Sequence, residues 1–214
     1  MSEEFIREVD EDLRHKQLTD LWKKYGKYFI ALLAAIVLFV AGNVGYKKYK
    51  ESQFAGLAVE YGKSLEAIEQ SNNEDAVARL RALSTSNVEG FEILSAFKQA
   101  ELHNKLGDKK SAVASLDLLS ASANTPEVYR DLARLQAAMI LLDEASYEDI
   151  AARLSPLAVS GNPWQYTAME MMAMAAVQSG NKDEAKRLLN ELTEDLEVPD
   201  NIKFRAQQFK SVIR

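Results

Sequence analysis

The chain has 214 residues, 47% of them hydrophobic and 27% charged, with a formal net charge of −6. Four Pro and nine Gly exclude a collagen-like or disordered chain, and the length allows one or two domains with a sizeable core. Zero Cys removes disulfides, thiolate metal sites and Cys nucleophiles, two His leave little for an imidazole-based site, and the acidic balance opposes a nucleic-acid binder.

Residues 1–27 read as a short helix, with Ser2 as its cap and Glu3 and Glu4 in its first turn. Phe5, Ile6, Val9, Leu13, Leu21 and Trp22 lie near one stripe. That stripe is either a cytosolic or interfacial contact face or a solvated extension of the apolar segment behind it.

Residues 28–46, YFIALLAAIVLFVAGNVGY, carry no charge over 19 positions, and Asn43 is the one strongly polar side chain. As a helix this run is about 28 Å long, close to the roughly 30 Å hydrocarbon thickness of a bilayer. Lys23, Lys24 and Lys27 precede it, and Lys47, Lys48 and Lys50 come after it. Trp22, Tyr25, Tyr28, Tyr46 and Tyr49 stand at its two ends, as in an interfacial aromatic belt. A cleaved signal peptide fits poorly, because 27 residues rich in acid come first and Ala41-Gly42-Asn43 is a poor cleavage site. The segment reads as a retained transmembrane anchor. Five basic residues in 8–27 against four in 47–66, with a short tail before and a large domain behind, place the N-terminus in the cytosol.

The charge divides unevenly. Residues 1–50 hold nine Lys/Arg and seven Asp/Glu, so the remaining 164 hold 17 against 25, a net −8. Apolar residues beyond 50 recur with helical spacing in pieces of 12–20, broken by turn residues. Helix pairs are expected at 51–70 with 73–84, 88–106 with 108–122, 126–144 with 146–160, and 163–179 with 181–194. A ninth, capping helix is expected at 199–213, with Ile202, Ala206, Phe209 and Ile213 on one stripe. Asn162 before Pro163 reads as a helix start, and Gly107 and Gly180 stand where a helix end needs a left-handed residue.

Alignment on these breaks exposes a repeat. Ala76, Ala112, Ile150 and Ala185 are 36, 38 and 35 residues apart. Four positions on stand Leu80, Leu116, Leu154 and Leu189; seven on, Leu83, Leu119, Leu157 and Leu192. Five positions earlier stand Ser71, Gly107, Ala145 and Gly180; twelve earlier, Ser64, Ala100, Ala138 and Ala173. Small residues on the first helix admit a close partner, a small residue at the break closes a tight turn, and the Ala–Leu–Leu stripe is the buried face of the second helix. One hairpin cannot bury both faces, so hairpins must stack. The fold class is therefore all-α: a single transmembrane helix, then an α-solenoid of degenerate hairpins with a C-terminal capping helix. The domains are 1–27 (cytosolic helix), 28–46 (anchor) and 47–214 (repeat domain).

These columns, with LGDKKSAVASL (106–116) and SGNKDEAKRLL (179–189), resemble the tetratricopeptide repeat, although its first-helix Trp and Leu-Gly positions are not met. The layout also carries a YGKYFIALLAAIVLFVAG anchor (25–42) and a KKYKESQ exit (47–53). The whole resembles the ancillary subunit of the SecYEG translocon of the YfgM type. That resemblance implies a bacterial inner-membrane protein with its repeat domain in the periplasm, associated with SecYEG and a membrane-anchored periplasmic chaperone of the PpiD type. It implies a role in handing secreted chains to periplasmic chaperones, with no catalytic residue. A membrane-tethered scaffold for envelope or division-complex assembly is the alternative.

No H-E-x-x-H, Gly-rich phosphate loop or G-x-S-x-G is present, and His15 and His103 lie on opposite sides of the anchor. An enzyme, a cofactor, a metal and a small-molecule substrate are not expected. In stacked hairpins the first helices line the concave face. The positions that would face it include Tyr61, Phe97, Leu135, Met139 and Met174, an apolar track for an unfolded segment or a partner helix, or else packing between repeats. Met169, Met171, Met172 and Met174 form either an adaptable surface or core filling.

Overall fold

The computed structural model describes residues 2–86 and 88–213, with residues 2–18, 20 and 89 described by their backbone alone. Among the described residues there are nine α-helices and no strand. The Ser2 cap, the Phe5–Leu13 part of the N-terminal stripe and His15 lie outside the described side chains.

The first helix, α1, runs unbroken over Ser2–Glu69. The sequence divides this stretch into a tail helix, an anchor and a first repeat helix; in the structure they are one element. The reason is the absence of a stop. All four Pro lie beyond residue 125, and a lone Gly costs a helix only about 1 kcal/mol. By its contacts the chain forms two compact units, Met1–Gly56 and Leu57–Arg214.

In the first unit every side chain from 27 to 56 is exposed, including Phe29, Leu32, Ile36, Leu38, Phe39 and Val44. None of the described residues covers this stretch, which is long and apolar enough to cross a membrane. Tyr25, Tyr28 and Tyr46 are each overhung by a lysine ammonium, from Lys24, Lys27 and Lys50, at 5.1–5.4 Å from the ring centre.

The second unit holds the end of α1 and eight further helices: α2 (Asn73–Leu83), α3 (Glu89–Lys105), α4 (Lys109–Ala121), α5 (Glu127–Leu141), α6 (Tyr147–Leu154), α7 (Gln165–Gln178), α8 (Lys182–Glu194) and α9 (Asp200–Val212). Each helix from α2 onward packs on the next, and α9 also touches α7. Seven of these eight lie within about three residues of the sequence expectation. The exception is α6, expected to reach residue 160 and observed to stop at Leu154. Pro156 explains it: proline has no N–H for the helix ladder, and its ring crowds the carbonyl one turn back. Leu157 is still fully buried, carried inward by the turn beyond the helix. At the next start, Asn162 Oδ1 accepts from the Trp164 backbone N–H at 2.8 Å, and α7 begins only at Gln165.

The repeat columns are the core. In all four hairpins the leading stripe residue, those four and seven positions after it, and the small residue twelve positions before it are at most 6% exposed. Burial of each Leu contributes about 1.5–3 kcal/mol. The core is continuous within three clusters, around Leu80, around Leu116, and around Leu154, Leu189 and Ile202.

Three of the four hairpin turns share one geometry. Ser71, Gly107 and Gly180 have φ of 60°, 82° and 73°. After each, the next residue donates its backbone N–H back to the first helix: Asn72 to Ala67 O, Asp108 to His103 O and Asn181 to Ala176 O, all at 2.8–2.9 Å. This is the Schellman pattern. In two of the three turns that residue also caps the second helix: Asp108 Oδ1 accepts from Ser111 N–H at 3.0 Å and Asn181 Oδ1 from Glu184 N–H at 3.3 Å. One residue thus ends one helix and begins another.

Ser71 holds a conformation that only glycine adopts without steric cost. Ser71→Gly is expected to stabilise the repeat domain by about 0.5–1 kcal/mol, and Gly107→Ala to destabilise it by about 1 kcal/mol. Urea unfolding followed by helical circular dichroism measures both; equal midpoints for the two variants would contradict the turn geometry.

Candidate interaction surface

In three hairpins the shared turn fixes the register between the first helix and its second, and in the remaining one the return of Glu144 and Ala145 to Leu141 O does so. That register sorts the five expected groove residues. Met139 is 58% exposed. Tyr61 is half-buried, its ring 6.4 Å from that of Phe91. Phe97 is half-buried against the Leu116 cluster, and Met174 is half-buried as well. Leu135 is 4% exposed and belongs to the core beside Ile150 and Leu154, so it offers almost no surface. The four neighbouring methionines divide similarly: Met169, Met171 and Met172 are core, and Met174 reaches the surface in part.

Further apolar side chains on the first helices were not expected at the surface, Val128 and Tyr129 at the start of α5 among them. Leu94 on α3 and Val177 on α7 are exposed. They stand three residues from Phe97 and from Met174, so each lies on the same helical stripe as its neighbour. They occupy the columns eighteen positions before Ala112 and eight before Ala185. Both columns mix polar and apolar residues from hairpin to hairpin, which leaves no consistent signal in the sequence.

The fourth helix of the groove set carries a charge where the earlier ones carry apolar groups. Glu170 on α7 is only 6% exposed. Arg205 of α9 meets it with two bonds, Nε to Oε1 at 2.5 Å and Nη2 to Oε2 at 2.6 Å. This fork-on-carboxylate pair binds α9 to α7 and holds the Arg205 guanidinium above its ordinary pKa. The small-residue column continues into α9 at Ala206, which is fully buried. By register, α9 therefore takes the place of the first helix of a fifth hairpin.

Other polar pairs tie neighbouring hairpins. Arg153 of α6 forks onto Asp117 of α4, with Nη2 to Oδ2 at 3.0 Å. Asp131 of α5, 5% exposed, accepts from Arg134 Nη1 and from Asn162 Nδ2, each at 2.8 Å, and so anchors the loop before α7. The Tyr147 hydroxyl donates to Glu184 Oε1 at 2.8 Å across α6 and α8. Burial first, and then the Glu184 carboxylate, push the Tyr147 phenol up to about 12. Hydrogen bonds from Arg187 hold Glu184 below the usual carboxylate range.

His103 is largely covered, with Nδ1 3.6 Å from Asp108 Oδ2. Among the described residues no three Asp, Glu or His side chains converge as a metal-binding group.

An unburied apolar helix and an array of packed helical hairpins define a helical-repeat protein with a helix fit to cross a membrane. Residues 19–198 match the tetratricopeptide repeat-like domain, and the chain belongs to that family. The match takes in the apolar stretch 28–46 together with all four hairpins. No curated protein and no solved structure matches the chain. Domains of this kind are protein-interaction scaffolds, whose stacked hairpins present an extended surface to protein partners.

Two outcomes test the polar ties. Arg205→Ala leaves the Glu170 carboxylate buried without its partner and is expected to cost about 1–3 kcal/mol, moderated by the half-exposed position of Arg205; an unchanged unfolding midpoint would remove α9 from the core. The Tyr147 proton is held more tightly in the folded chain than in the unfolded one. Its contribution is intact below the ordinary tyrosine pKa of 10.0 and is lost as the pH rises through about 12. Absorbance titration at alkaline pH is expected to show late tyrosines, Tyr166 being pushed up as well by burial and by Asp195, and Tyr147→Phe is expected to remove the one that titrates at about 12.

Proposed function

We propose that the chain is a non-catalytic, single-pass inner-membrane protein that acts as an ancillary subunit of the SecYEG translocon. Residues 1–27 lie in the cytosol, 28–46 span the membrane, and 47–214 stand in the periplasm. There the repeat domain assists the passage of secreted chains to a membrane-anchored chaperone of the PpiD type. Tyr61, Phe97, Met139 and Met174 provide the apolar contact surface, with Leu135 packed beneath it.

One observation carries this reading: an uncovered apolar helix of membrane-spanning length belongs to the same chain as a hairpin array with exposed apolar side chains on its first helices. Lipid is the solvent such a helix needs. Met139 is the kind of soft, adaptable side chain that a contact surface uses. The resemblance of the layout to the YfgM-type subunit supplies the choice of partner.

Affinity purification of the full chain from a mild detergent is the test. Translocon components and a membrane-anchored chaperone are expected to co-purify. Photo-crosslinkers at Tyr61, Phe97, Met139 and Met174 are expected to capture them, while crosslinkers at exposed second-helix positions such as Lys186 and Glu191 are not. Purification without any translocon component would overturn the translocon assignment in favour of an envelope scaffold. Crosslinks confined to the second helices would overturn the surface.

A further inference from the structure

Basic side chains are concentrated where the packed hairpins make no use of them. Residues 1–20 carry three basic and seven acidic side chains, and residues 51–214 carry 17 against 25. Residues 21–50, between them, carry six lysines and no Asp or Glu. The lysines form two collars, Lys23, Lys24 and Lys27 before the apolar run and Lys47, Lys48 and Lys50 after it. All six are exposed, and none forms an ion pair among the described residues.

The two collars are not equivalent. Side chains on a helix lean toward its N-terminus. Before the run that direction leads away from the apolar segment; after the run it leads back onto it. Lys50 shows the consequence, because its ammonium lies over the Tyr46 ring, 5.1 Å from the centre and one turn nearer the run. Lys24 and Lys27 instead lie over the rings of their immediate neighbours, Tyr25 and Tyr28. The collars also differ one turn further in. Tyr46, Lys47 and Lys50 stand three, four and seven positions after Asn43, so the four share one face of α1. Asn43 is exposed and makes no hydrogen bond with the described residues. One turn inside Lys27 stand Ile30 and Ala31, neither of them polar.

We propose that Asn43, Tyr46, Lys47 and Lys50 bind the headgroup of an acidic phospholipid, in the leaflet on the repeat-domain side. A helix rises about 1.5 Å per residue, which puts Lys47 about 6 Å and Lys50 about 10 Å beyond Asn43. The polar zone outside the hydrocarbon is about 5–8 Å deep on each side of a bilayer. Asn43 therefore stands at the level of the acyl ester carbonyls, to which its amide NH2 donates, and the two ammoniums lean back to the phosphate. The Tyr46 hydroxyl adds a donor on the same face. Asn43 thereby gains the acceptor that hydrocarbon denies it. A zwitterionic lipid brings its own cation to the phosphate and gains less from two lysines, so the site prefers a headgroup of net negative charge. The site rests on residues 28–46 crossing a membrane and not on the choice of the translocon as partner.

The test uses the full chain in detergent micelles. Native mass spectrometry counts bound lipid as phosphatidylglycerol or phosphatidylcholine with the same acyl chains is added. Phosphatidylglycerol is expected to bind about tenfold more tightly. Lys47→Gln and Lys50→Gln are each expected to cut that preference about fivefold. Lys48→Gln removes the same charge from another side of the helix and is expected to keep the preference. Asn43→Leu is expected to weaken phosphatidylglycerol binding about threefold, the loss of one hydrogen bond. Equal affinity for the two lipids would overturn the site, as would an equal loss in all three lysine variants. Wild-type binding in Asn43→Leu would remove Asn43 from it. Competition by inorganic phosphate at the same concentration would reassign the site to a soluble anion and overturn the lipid. Retention of each variant in alkali-washed membranes reports an intact anchor; release of the wild-type chain in that wash would overturn the anchor itself, and with it the proposed function.

Discussion

The close approach of two helices through small side chains is the constraint on which the rest of this structure depends. Ser64, Ala100, Ala138 and Ala173 on the first helices are essentially inaccessible, as are Ala76, Ala112 and Ala185 on the second. Helix axes come within about 8–10 Å only where side chains at the crossing are small. That approach brings the Leu stripe of each second helix into the space between hairpins, where it meets the next first helix. A large side chain in either small column would separate the pair and strand the leucines, since close-packed interiors absorb extra volume only with strain.

Such an array needs turns as short as its contacts. At Asp108 and Asn181 a single residue satisfies the last carbonyls of one helix and the first N–H groups of the next. The positive φ of the residue before it reverses the chain in the fewest positions, which explains glycine there in two of the hairpins. The third hairpin has Ala145 at that column and reverses differently, with Glu144 and Ala145 both donating to Leu141 O. It is also the hairpin with the shortest second helix, ended at Leu154 by Pro156. Degeneracy in the repeat thus has identifiable local causes, and the buried columns tolerate it because they depend on burial and not on helix length.

Polar groups then give the array its individual character. Glu170, Asp131 and Gln99 are all nearly inaccessible. Glu170 is met by Arg205 and Asp131 by Arg134 and Asn162, so each rigidifies a junction. Gln99 makes no such bond, and its amide reaches solvent between α2 and α4. On the first-helix face, apolar exposure is scattered over Leu94, Met139 and Val177, with Tyr61, Phe97 and Met174 half-covered.

The sequence by itself determined the apolar run, the helices beyond it, the repeat columns and the left-handed turns at Gly107 and Gly180. Each of these arises from local terms: hydrophobic periodicity, proline, and the steric freedom of glycine. The continuity of α1 was also a local matter, since no proline interrupts the chain before residue 69, yet its hydrophobic and charged pieces read as separate elements. What lies between hairpins was decided only in three dimensions. Leu135 and Met139 are four residues apart on one helix face, yet one is core and the other exposed, because the depth of a residue depends on which neighbouring hairpin covers it. Glu170 finds Arg205 across 35 residues. Pairings of this range depend on the packing of whole hairpins, a free energy that no window of sequence contains.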